Sequence, residues 1–287
     1  MKSLIVNEKF NNKKLSYFLM YSFPKLSINS VYKALRKKDI KINGNRVSND
    51  VYVHTADNID VYISDEILFP EFNLDVVFED DNILIINKPC SIEVTGDNSL
   101  TTEVLLKYCD SAFKPMPCHR LDRNTTGLVL FAKNENALNI LLDKFKNHEI
   151  EKHYLALVYG VPPKNYARLE AFLFKDNKKS LVYISDTPKT GYRNIITSYN
   201  VVEKRPDNSC LLDVQIETGR THQIRAHLAH IGYPIIGDGK YGINEVNKQF
   251  SAKTQKLCSY KLKFNFKSDS GCLNYLNGKE FMINCEF

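Results

Sequence analysis

Asp122 lies in the run His119-Arg120-Leu121-Asp122-Arg123-Asn124-Thr125-Thr126, where one carboxylate stands among two guanidinium groups, a histidine and two hydroxyls. The apolar segment 128–132 follows directly. A neighbouring arginine favours the ionised form of a carboxylate, which can act as a nucleophile or as a base. An Arg-Leu-Asp triplet alone more often caps a turn or forms an ion pair, so this run by itself does not establish catalysis.

Tyr154 opens the apolar stretch 154–158, and its ring could stack on a nucleobase. Filling the core is the more common role of any single tyrosine, so both interpretations stay open.

Arg225 lies in a third polar segment, Gly219-Arg220-Thr221-His222-Gln223-Ile224-Arg225, which follows an alternating apolar and polar strand pattern. We predict that the strand turns here into a helix capped by Thr221. Free N–H groups at a helix start, with Arg220 and Arg225 nearby, indicate a site for a phosphate or a carboxylate.

A zinc site is the alternative use of His222, His227 and His230. Their spacings of five and three residues differ from the same-face pair of helical zinc sites, and no nearby Cys or Glu completes a set. The seven cysteines are scattered without a Cys-x-x-Cys pair, which predicts free thiols rather than a disulfide framework. We therefore expect no metal.

The elements that must position these residues fall into two parts. Residues 13–39 have the pattern of two short helices, the second capped by Asn29 or Ser30, and residues 40–47 that of a hairpin with an Asn-Gly turn. A further strand is predicted over 58–63. From residue 74 onward strands and helices alternate irregularly, which favours an α+β domain around a mixed or antiparallel sheet.

The excess positive charge is concentrated in the first part. Residues 1–65 hold 11 Lys and Arg against 6 Asp and Glu, whereas residues 66–287 hold 28 against 27. A basic segment joined to a nearly neutral body is typical of a polyanion-binding module on an enzyme, although a solvated lysine-rich face would look the same.

The composition is that of an ordinary globular protein, with 43% hydrophobic and 25% charged residues among 287. The apolar runs are only as long as a strand, and residues 1–8 lack the apolar stretch of a secretion signal. We expect a cytoplasmic protein.

The three segments that hold Asp122, Tyr154 and Arg225 together resemble the RluA-type pseudouridine synthases, over roughly residues 74–265. The segments are His119-Arg120-Leu121-Asp122 with Thr126-Gly127-Leu128, then Glu151-Lys152-His153-Tyr154-Leu155-Ala156-Leu157-Val158-Tyr159-Gly160, and Gly219-Arg220-Thr221-His222-Gln223-Ile224-Arg225 with His227-Leu228 and Gly232-Tyr233-Pro234-Ile235-Ile236-Gly237-Asp238. The resemblance includes the opening Glu79-Asp80-Asp81-Asn82-Ile83-Leu84-Ile85-Ile86-Asn87-Lys88-Pro89. Residues 12–63 resemble an S-four-type RNA-binding domain.

The resemblance implies an α+β pseudouridine synthase fold, a mixed and largely antiparallel sheet flanked by helices, with a small N-terminal α+β domain. The implied organisation is an RNA-binding domain over 1–65, a linker over 66–73 and a catalytic domain over 74–287.

The resemblance also implies the roles of single residues. Asp122 matches the catalytic aspartate, Tyr154 the active-site tyrosine, and Arg225 the arginine that pairs with the aspartate. Arg120 resembles a residue that fills the space left by a flipped nucleotide, and Leu257 an apolar residue beside the site. The expected RNA-binding residues are Arg120, Arg220 and His222, with Lys25, Lys33, Arg36, Lys37, Lys38 and Lys41 as phosphate contacts in the N-terminal domain.

The implied activity is isomerisation of uridine to pseudouridine in structured RNA, most plausibly large-subunit ribosomal RNA, by a monomer that needs neither cofactor nor metal and binds no membrane. Asp122 either attacks the anomeric carbon or removes a proton from the adjacent ribose carbon. The alternatives are a tRNA pseudouridine synthase, a non-catalytic RNA-binding or ribosome-assembly factor on the same fold, and a glycosidase, which would need a second carboxylate.

Overall fold

Two units of structure make up the chain, Met1–Asn73 and Leu74–Phe287, in a computed structural model that describes residues 1–68 and 72–287. Each unit holds its own apolar core. Of the predicted linker 66–73, residues 66–68 belong to a helical turn whose Leu68 is fully buried in the first core. Phe69, Pro70 and Glu71 of that linker lie outside the described residues.

The first unit combines two helices, a helical turn and short strands. The elements are β1 (Lys2–Ile5), β2 (Lys13–Lys14), α1 (Leu15–Ser22), α2 (Ile28–Lys37), β3 (Ile40–Ile42), β4 (Asn45–Arg46), β5 (Tyr52–Val53), β6 (Asn58–Val61) and α3 (Asp65–Leu68). One antiparallel sheet has the order β1-β6-β3-β4, and β2 pairs with β5. The apolar residues of α1 and α2 share one buried cluster with β6.

Helix α2 begins one turn earlier than predicted. Ser27, not Asn29 or Ser30, occupies the cap position, and its side-chain oxygen accepts the Ser30 N–H group at 3.1 Å. The helix ends at Lys38, whose backbone is left-handed, directly after two cations that interact favourably with the negative end of the helix dipole.

The second unit is built on one large sheet. Its elements are β7 (Val76–Glu79), β8 (Ile83–Lys88), α4 (Leu100–Lys107), β9 (Met116–Pro117), β10 (Thr126–Ala132), α5 (Glu135–Lys146), β11 (Ile150–Tyr159), β12 (Tyr166–Asp176), β13 (Leu181–Ser185), β14 (Arg193–Lys204), β15 (Ser209–Ile216), α6 (Gln223–His230), α7 (Asn244–Gln249), β16 (Leu257–Phe264) and β17 (Glu280–Met282).

The strand order is β13-β12-β14-β15-β11-β16-β10-β8-β7, with β17 beside β16 and β9 beside β10. Among the strands that the structure describes, β10 and β16 form the one parallel pair, and every other pair is antiparallel. The predicted α+β class with a mixed, largely antiparallel sheet is therefore confirmed. No helix in the described part of the chain is both long and apolar enough to cross a bilayer.

A disulfide joins Cys258 on β16 to Cys285 near the C-terminus, so the expectation of free thiols is wrong for this pair. Strand β17 pairs with β16 and so brings the C-terminal segment alongside, which the spacing of the cysteines does not reveal. The free cysteines are Cys90, Cys109, Cys118, Cys210 and Cys272.

Gly127 sits where β10 starts, and its backbone passes very close to β16. Its φ of +108° is in the region that favours glycine, and a Cβ atom there would overlap the backbone carbonyl oxygen of Ser259. The loop that carries Asp122 therefore continues into β10 through Gly127, a position where there is no room for a side chain.

We expect Gly127→Ala to lower the free energy of unfolding by about 3 kcal/mol, because a strained backbone and an overpacked contact act together. Gly278→Ala is the matched control, since Gly278 also has a positive φ of +79° but nothing lies within 4 Å of its Cβ position. The control should cost only about 1–2 kcal/mol. Urea unfolding of both variants measures the difference, and equal losses would contradict the close-approach explanation.

Candidate active site

One cleft of about 360 Å³ in the second unit brings together the three polar segments singled out in the sequence. The segments come from the loop before β10, the start of β11, and the turn from β15 into α6. The residues that line the cleft are Cys118, His119, Arg120, Leu121, Asp122, Thr125, Phe145, Lys146, Lys152, Tyr154, Ile216, Gly219, Arg220, Thr221, His222, Gln223, Ile224, Arg225 and Leu257.

Asp122 and Arg225 are in direct contact although 103 residues separate them. The Arg225 Nη1–H group donates to Asp122 Oδ2 at 2.9 Å. The Asp122 side chain is 20% exposed and that of Arg225 only 7%, so a ligand in the cleft can reach the carboxylate. The arrangement leaves Asp122 Oδ1 without a hydrogen bond among the described residues.

The loop that carries Asp122 is anchored on both sides. Gln255 Nε2 donates to Thr125 Oγ1 at 2.7 Å, and the Thr125 N–H group donates to the Asp122 carbonyl oxygen. Lys88 is fully buried, and its Nζ donates to the carbonyl oxygens of Pro89, Ile92 and Arg123 at 2.8–3.0 Å. The Asp122 carboxylate is therefore held by a rigid backbone rather than by a free loop.

Asp238 fixes the position of Arg225 from the other side. Arg225 Nε and Nη2 donate to the two Asp238 oxygens at 2.7 and 3.0 Å, and Asp238 Oδ1 also accepts the N–H groups of Lys240 and Tyr241. Asp238 is 1% exposed. A bidentate pair of this kind sets the orientation of the guanidinium group, which leaves Nη1 to face Asp122.

Burial would raise the pKa of Asp238, but the hydrogen bonds and the charge of Arg225 hold it below its usual range. Burial would likewise lower the pKa of Arg225, but Asp238 and Asp122 together raise it. Both groups are therefore charged at neutral pH. Asp238 ends the segment Gly232-Tyr233-Pro234-Ile235-Ile236-Gly237-Asp238 of the family resemblance, and no local pattern in the sequence marks it as the partner of Arg225.

Tyr154 lies in the middle of the sheet, with Val214 opposite it on β15 and Ser259 opposite it on β16. It is 5% exposed and lines the cleft. Burial, with the nearby charge of Asp122, raises the pKa of the Tyr154 phenol above its usual value. The tyrosine therefore offers a neutral hydroxyl and a ring held by two strands.

His222 lies beside Asp122, with 4.0 Å between its Nε2 and Asp122 Oδ2, and its Nδ1 forms a 2.9 Å hydrogen bond with the Tyr241 hydroxyl. Burial lowers the pKa of His222 to about 4 even though Asp122 opposes this, so the contact is not an ion pair at neutral pH. His222 also occupies the cap position of α6 with a left-handed backbone, so the prediction that Thr221 caps this helix is wrong.

The three histidines considered for zinc have separate partners. His222 bonds to Tyr241, His227 Nδ1 lies 3.0 Å from Thr197 Oγ1, and His230 Nε2 lies 2.8 Å from Asp186 Oδ1. Within residues 1–68 and 72–287, no group of three or more His, Cys, Asp or Glu side chains is placed to hold a metal ion.

The cleft is strongly cationic. Its lining includes Arg120, Lys146, Lys152, Arg220 and Arg225, against Asp122 as the one carboxylate among the described lining residues. Lys152 lies two residues before Tyr154 on β11, and burial lowers the pKa of Lys152 to about 8, which leaves the ammonium mostly charged at neutral pH. Lys146 and Lys152 were not among the site residues predicted from the sequence.

The six predicted phosphate contacts of the N-terminal domain lie in the first unit. Lys33, Arg36 and Lys37 are exposed on α2, and Lys38 follows it. Lys25 precedes α2, and Lys41 on β3 is half-buried with its Nζ 5.2 Å from the centroid of the Tyr62 ring. Their role in RNA binding stays a prediction.

His119 supports a prediction about acid stability. Its Nε2 accepts the Leu130 N–H group at 3.1 Å, and burial, helped by the charge of Lys152, lowers its pKa from 6.5 to about 3. His119 is therefore protonated near pH 6.5 in the unfolded chain but stays neutral at that pH in the folded protein. Stability contributed by neutral His119 is therefore complete above that pH and is lost as the pH falls towards 3.

We expect His119→Gln to lose less stability than the wild type between pH 7.5 and pH 5, because glutamine can accept the same hydrogen bond without titrating. Urea unfolding at both pH values measures this. His148→Gln, at an exposed histidine of the same unit, is the matched control. An unchanged pH dependence in His119→Gln would contradict the prediction.

Comparisons with known proteins agree with one another. Residues 82–230 match the family model described as RNA pseudouridylate synthase. An uncharacterized RNA pseudouridine synthase of Mycoplasma capricolum is 32% identical over 99% of this chain and 98% of its own length. Ribosomal large subunit pseudouridine synthase C of Rickettsia bellii is 32% identical over 80% of this chain and 82% of its own length.

Solved structures show the same fold. Human RNA pseudouridylate synthase domain containing 1 has a TM-score of 0.60 at 22% identity, with 74% of this chain and 83% of that chain covered. Human RNA pseudouridylate synthase domain containing 4 has a TM-score of 0.59 at 21% identity, with 74% and 88% covered.

Proposed function

The chain belongs to the RNA pseudouridylate synthase family, the isomerases that convert uridine to pseudouridine in RNA, and we propose that the cationic cleft is its active site, with Asp122 as the catalytic carboxylate. The observation that carries this proposal is the line of contacts from Asp238 through Arg225 to Asp122, which holds one reachable carboxylate in the lining of a cleft of opposite charge.

The reaction breaks the bond between C1′ of the ribose and N1 of the uracil, rotates the base and joins C5 to C1′. N1 gains a proton and C5 loses one, so the atoms of uridine are conserved and nothing is oxidised. Asp122 either attacks C1′ or removes a proton from C2′, and the oxygen that Arg225 does not bind suits both routes. Because the reaction is balanced in itself, we propose that it needs no cofactor and no metal.

Arg225 and Tyr154 have distinct parts in this proposal. Arg225 orients the Asp122 carboxylate through the hydrogen bond that it donates, while Asp238 compensates most of the guanidinium charge. Tyr154 places its ring against the uracil, and a ring–base stack contributes roughly 1–3 kcal/mol. Its neutral phenol can also relay the proton that leaves C5.

The polyanionic substrate fits the charges of the cleft. Five cations face one carboxylate, and a flipped uridine carries its flanking phosphates to the rim, where Arg120 and Arg220 are exposed. Extrusion of the target nucleotide costs a few kcal/mol, which wider contacts with the RNA must offset. The exposed cations of α2 supply such contacts in the first unit.

We further propose large-subunit ribosomal RNA as the substrate and a monomer as the active form. Relatives about 30% identical over roughly four fifths of the chain carry the name ribosomal large subunit pseudouridine synthase C, in Rickettsia felis as well as in Rickettsia bellii. Transfer RNA is the competing substrate.

The experiment is a transcriptome-wide map of pseudouridine in cells with the gene intact and deleted. We expect one or more sites to disappear from large-subunit ribosomal RNA and to return when the gene is restored. Loss of sites from transfer RNA alone would overturn the ribosomal assignment. No loss in any RNA would overturn the function.

The glycosidase alternative needs two cooperating carboxylates. Asp238 is the carboxylate that approaches the Asp122–Arg225 pair, but both of its oxygens are occupied and it is 1% exposed. This disfavours the alternative. The non-catalytic alternative is tested by purified wild-type protein, which should form pseudouridine in transcribed ribosomal RNA.

A further inference from the structure

A second cleft of about 310 Å³ opens next to the active site in the same unit. Its walls come from the end of β12, the start of β14 and the turn before α6. The lining residues are Leu173, Phe174, Lys175, Gly191, Arg193, Arg220 and Thr221. Because Arg220 and Thr221 also line the first cleft, the two clefts share one wall and lie side by side.

The second cleft is lined by unpaired cations. Lys175, Arg193 and Arg220 contribute to it, and no Asp or Glu appears among the described lining residues. None of these three side chains forms an ion pair with any residue in the described ranges, whereas Arg168 on β12 and Arg205 directly after β14 are both paired with glutamates. Cations without protein partners are available to an anionic ligand.

An aromatic pair with one exposed and one half-buried ring adjoins these cations. The rings of Phe174 and Tyr192 are stacked, with centroids 5.4 Å apart and planes 27° apart, and Phe174 is 37% exposed. Lys189 Nζ lies 5.8 Å from the Tyr192 centroid. Gly191 lies beside the Phe174 ring, where a Cβ atom would be in van der Waals contact with the ring at 3.7 Å. Aromatic faces among cations are typical of sites for single-stranded nucleic acid.

We propose that this second cleft binds a nucleotide of the substrate RNA that flanks the target uridine, with its base on Phe174 and its phosphate at Lys175 and Arg193. The proposal rests on the proposed function, because it places the target uridine in the first cleft. A strand that leaves the first cleft across Arg220 and Thr221 enters the second. Flipping the target unstacks its neighbour, and a ring that takes up the neighbouring base replaces part of the lost stacking.

The test uses Phe174→Leu, which removes the ring but keeps apolar bulk, and Arg193→Gln, which removes a charge. The probe is transcribed large-subunit ribosomal RNA. For Phe174→Leu we expect Kd and KM to rise about 5- to 20-fold while kcat stays near that of the wild type. For Arg193→Gln we expect the slope of log K against log salt to become shallower by about 0.7, the value for one phosphate of a single strand.

Tyr166→Leu and Lys164→Gln are the matched controls. Tyr166 is 55% exposed on the same strand as Phe174, and Lys164 is an exposed cation of the same unit outside both clefts. Both controls should bind and react like the wild type. Circular dichroism and thermal unfolding establish that all four variants are folded.

The outcomes separate the two proposals. If the wild type forms no pseudouridine, the proposed function fails. If the wild type is active but Phe174→Leu and Arg193→Gln keep its Kd and salt slope, the nucleotide subsite is overturned. A fall in kcat with Kd and KM unchanged also overturns it, because a binding subsite for a flanking nucleotide acts on affinity.

Discussion

Asp122→Asn is expected to abolish pseudouridine formation, with kcat lowered by about 10⁴-fold, while the protein still binds RNA. The asparagine carbonyl oxygen can accept the hydrogen bond that Arg225 donates at 2.9 Å, so the cleft keeps its geometry. An amide can neither attack C1′ nor accept the C2′ proton, so both routes open to the carboxylate are closed. Loss of one negative charge from a cationic cleft should leave RNA affinity equal or greater.

The measurement follows from the balance of the reaction. The hydrogen on C5 of uridine is lost, so RNA labelled with tritium at C5 releases tritium to water in step with product. Asp186→Asn is the control, since Asp186 is a carboxylate of the same unit with an 80% exposed side chain. Tritium release by Asp122→Asn at the rate of the control would remove Asp122 from the mechanism.

The sequence predicted the residues that meet in the proposed active site better than the residues that hold them in place. Asp122 and Arg225 lie in specific blocks, and the structure brings both to one cleft with Tyr154. Asp238 follows Arg225 by 13 residues, and its neighbouring glycines indicate only a turn. The local pattern therefore does not predict that Asp238 contacts Arg225. Its function depends on where that turn lies in the fold, which spacing alone does not give.

The predicted N-terminal caps of α2 and α6 were wrong for a similar reason. Ser27 and Ser30 are three residues apart at the start of α2, and a serine at either position can cap a helix by propensity. Packing of α2 into the first core decides between them. Thr221 was chosen as a cap because of its residue type, but the left-handed backbone of His222 starts α6 one residue later.

The fold class was predictable because apolar strands such as β8 and β10 are continuous in sequence. Their order in the sheet was not, since β10 lies between β8 and β16 and the pairing of β10 with β16 spans more than 120 residues. Pairing at that separation depends on the whole chain rather than on local pattern.

Asp238→Asn is expected to lower both stability and kcat, because Arg225 would remain buried with Asp122 as its one charged partner. Removing one member of a buried ion pair typically costs about 3–5 kcal/mol. The freed guanidinium group is then drawn more tightly to Asp122, which restrains the carboxylate that must react, and we expect kcat to fall about 10²-fold. KM should change little, because Asp238 is buried and does not touch RNA.

A double variant distinguishes positioning from mere loss of stability. Asp238→Asn combined with Arg225→Gln leaves no uncompensated charge in the pair, so it should be more stable than Asp238→Asn alone and yet no more active. An Asp238→Asn protein with the kcat and stability of the wild type would show that Arg225 holds its position without this carboxylate.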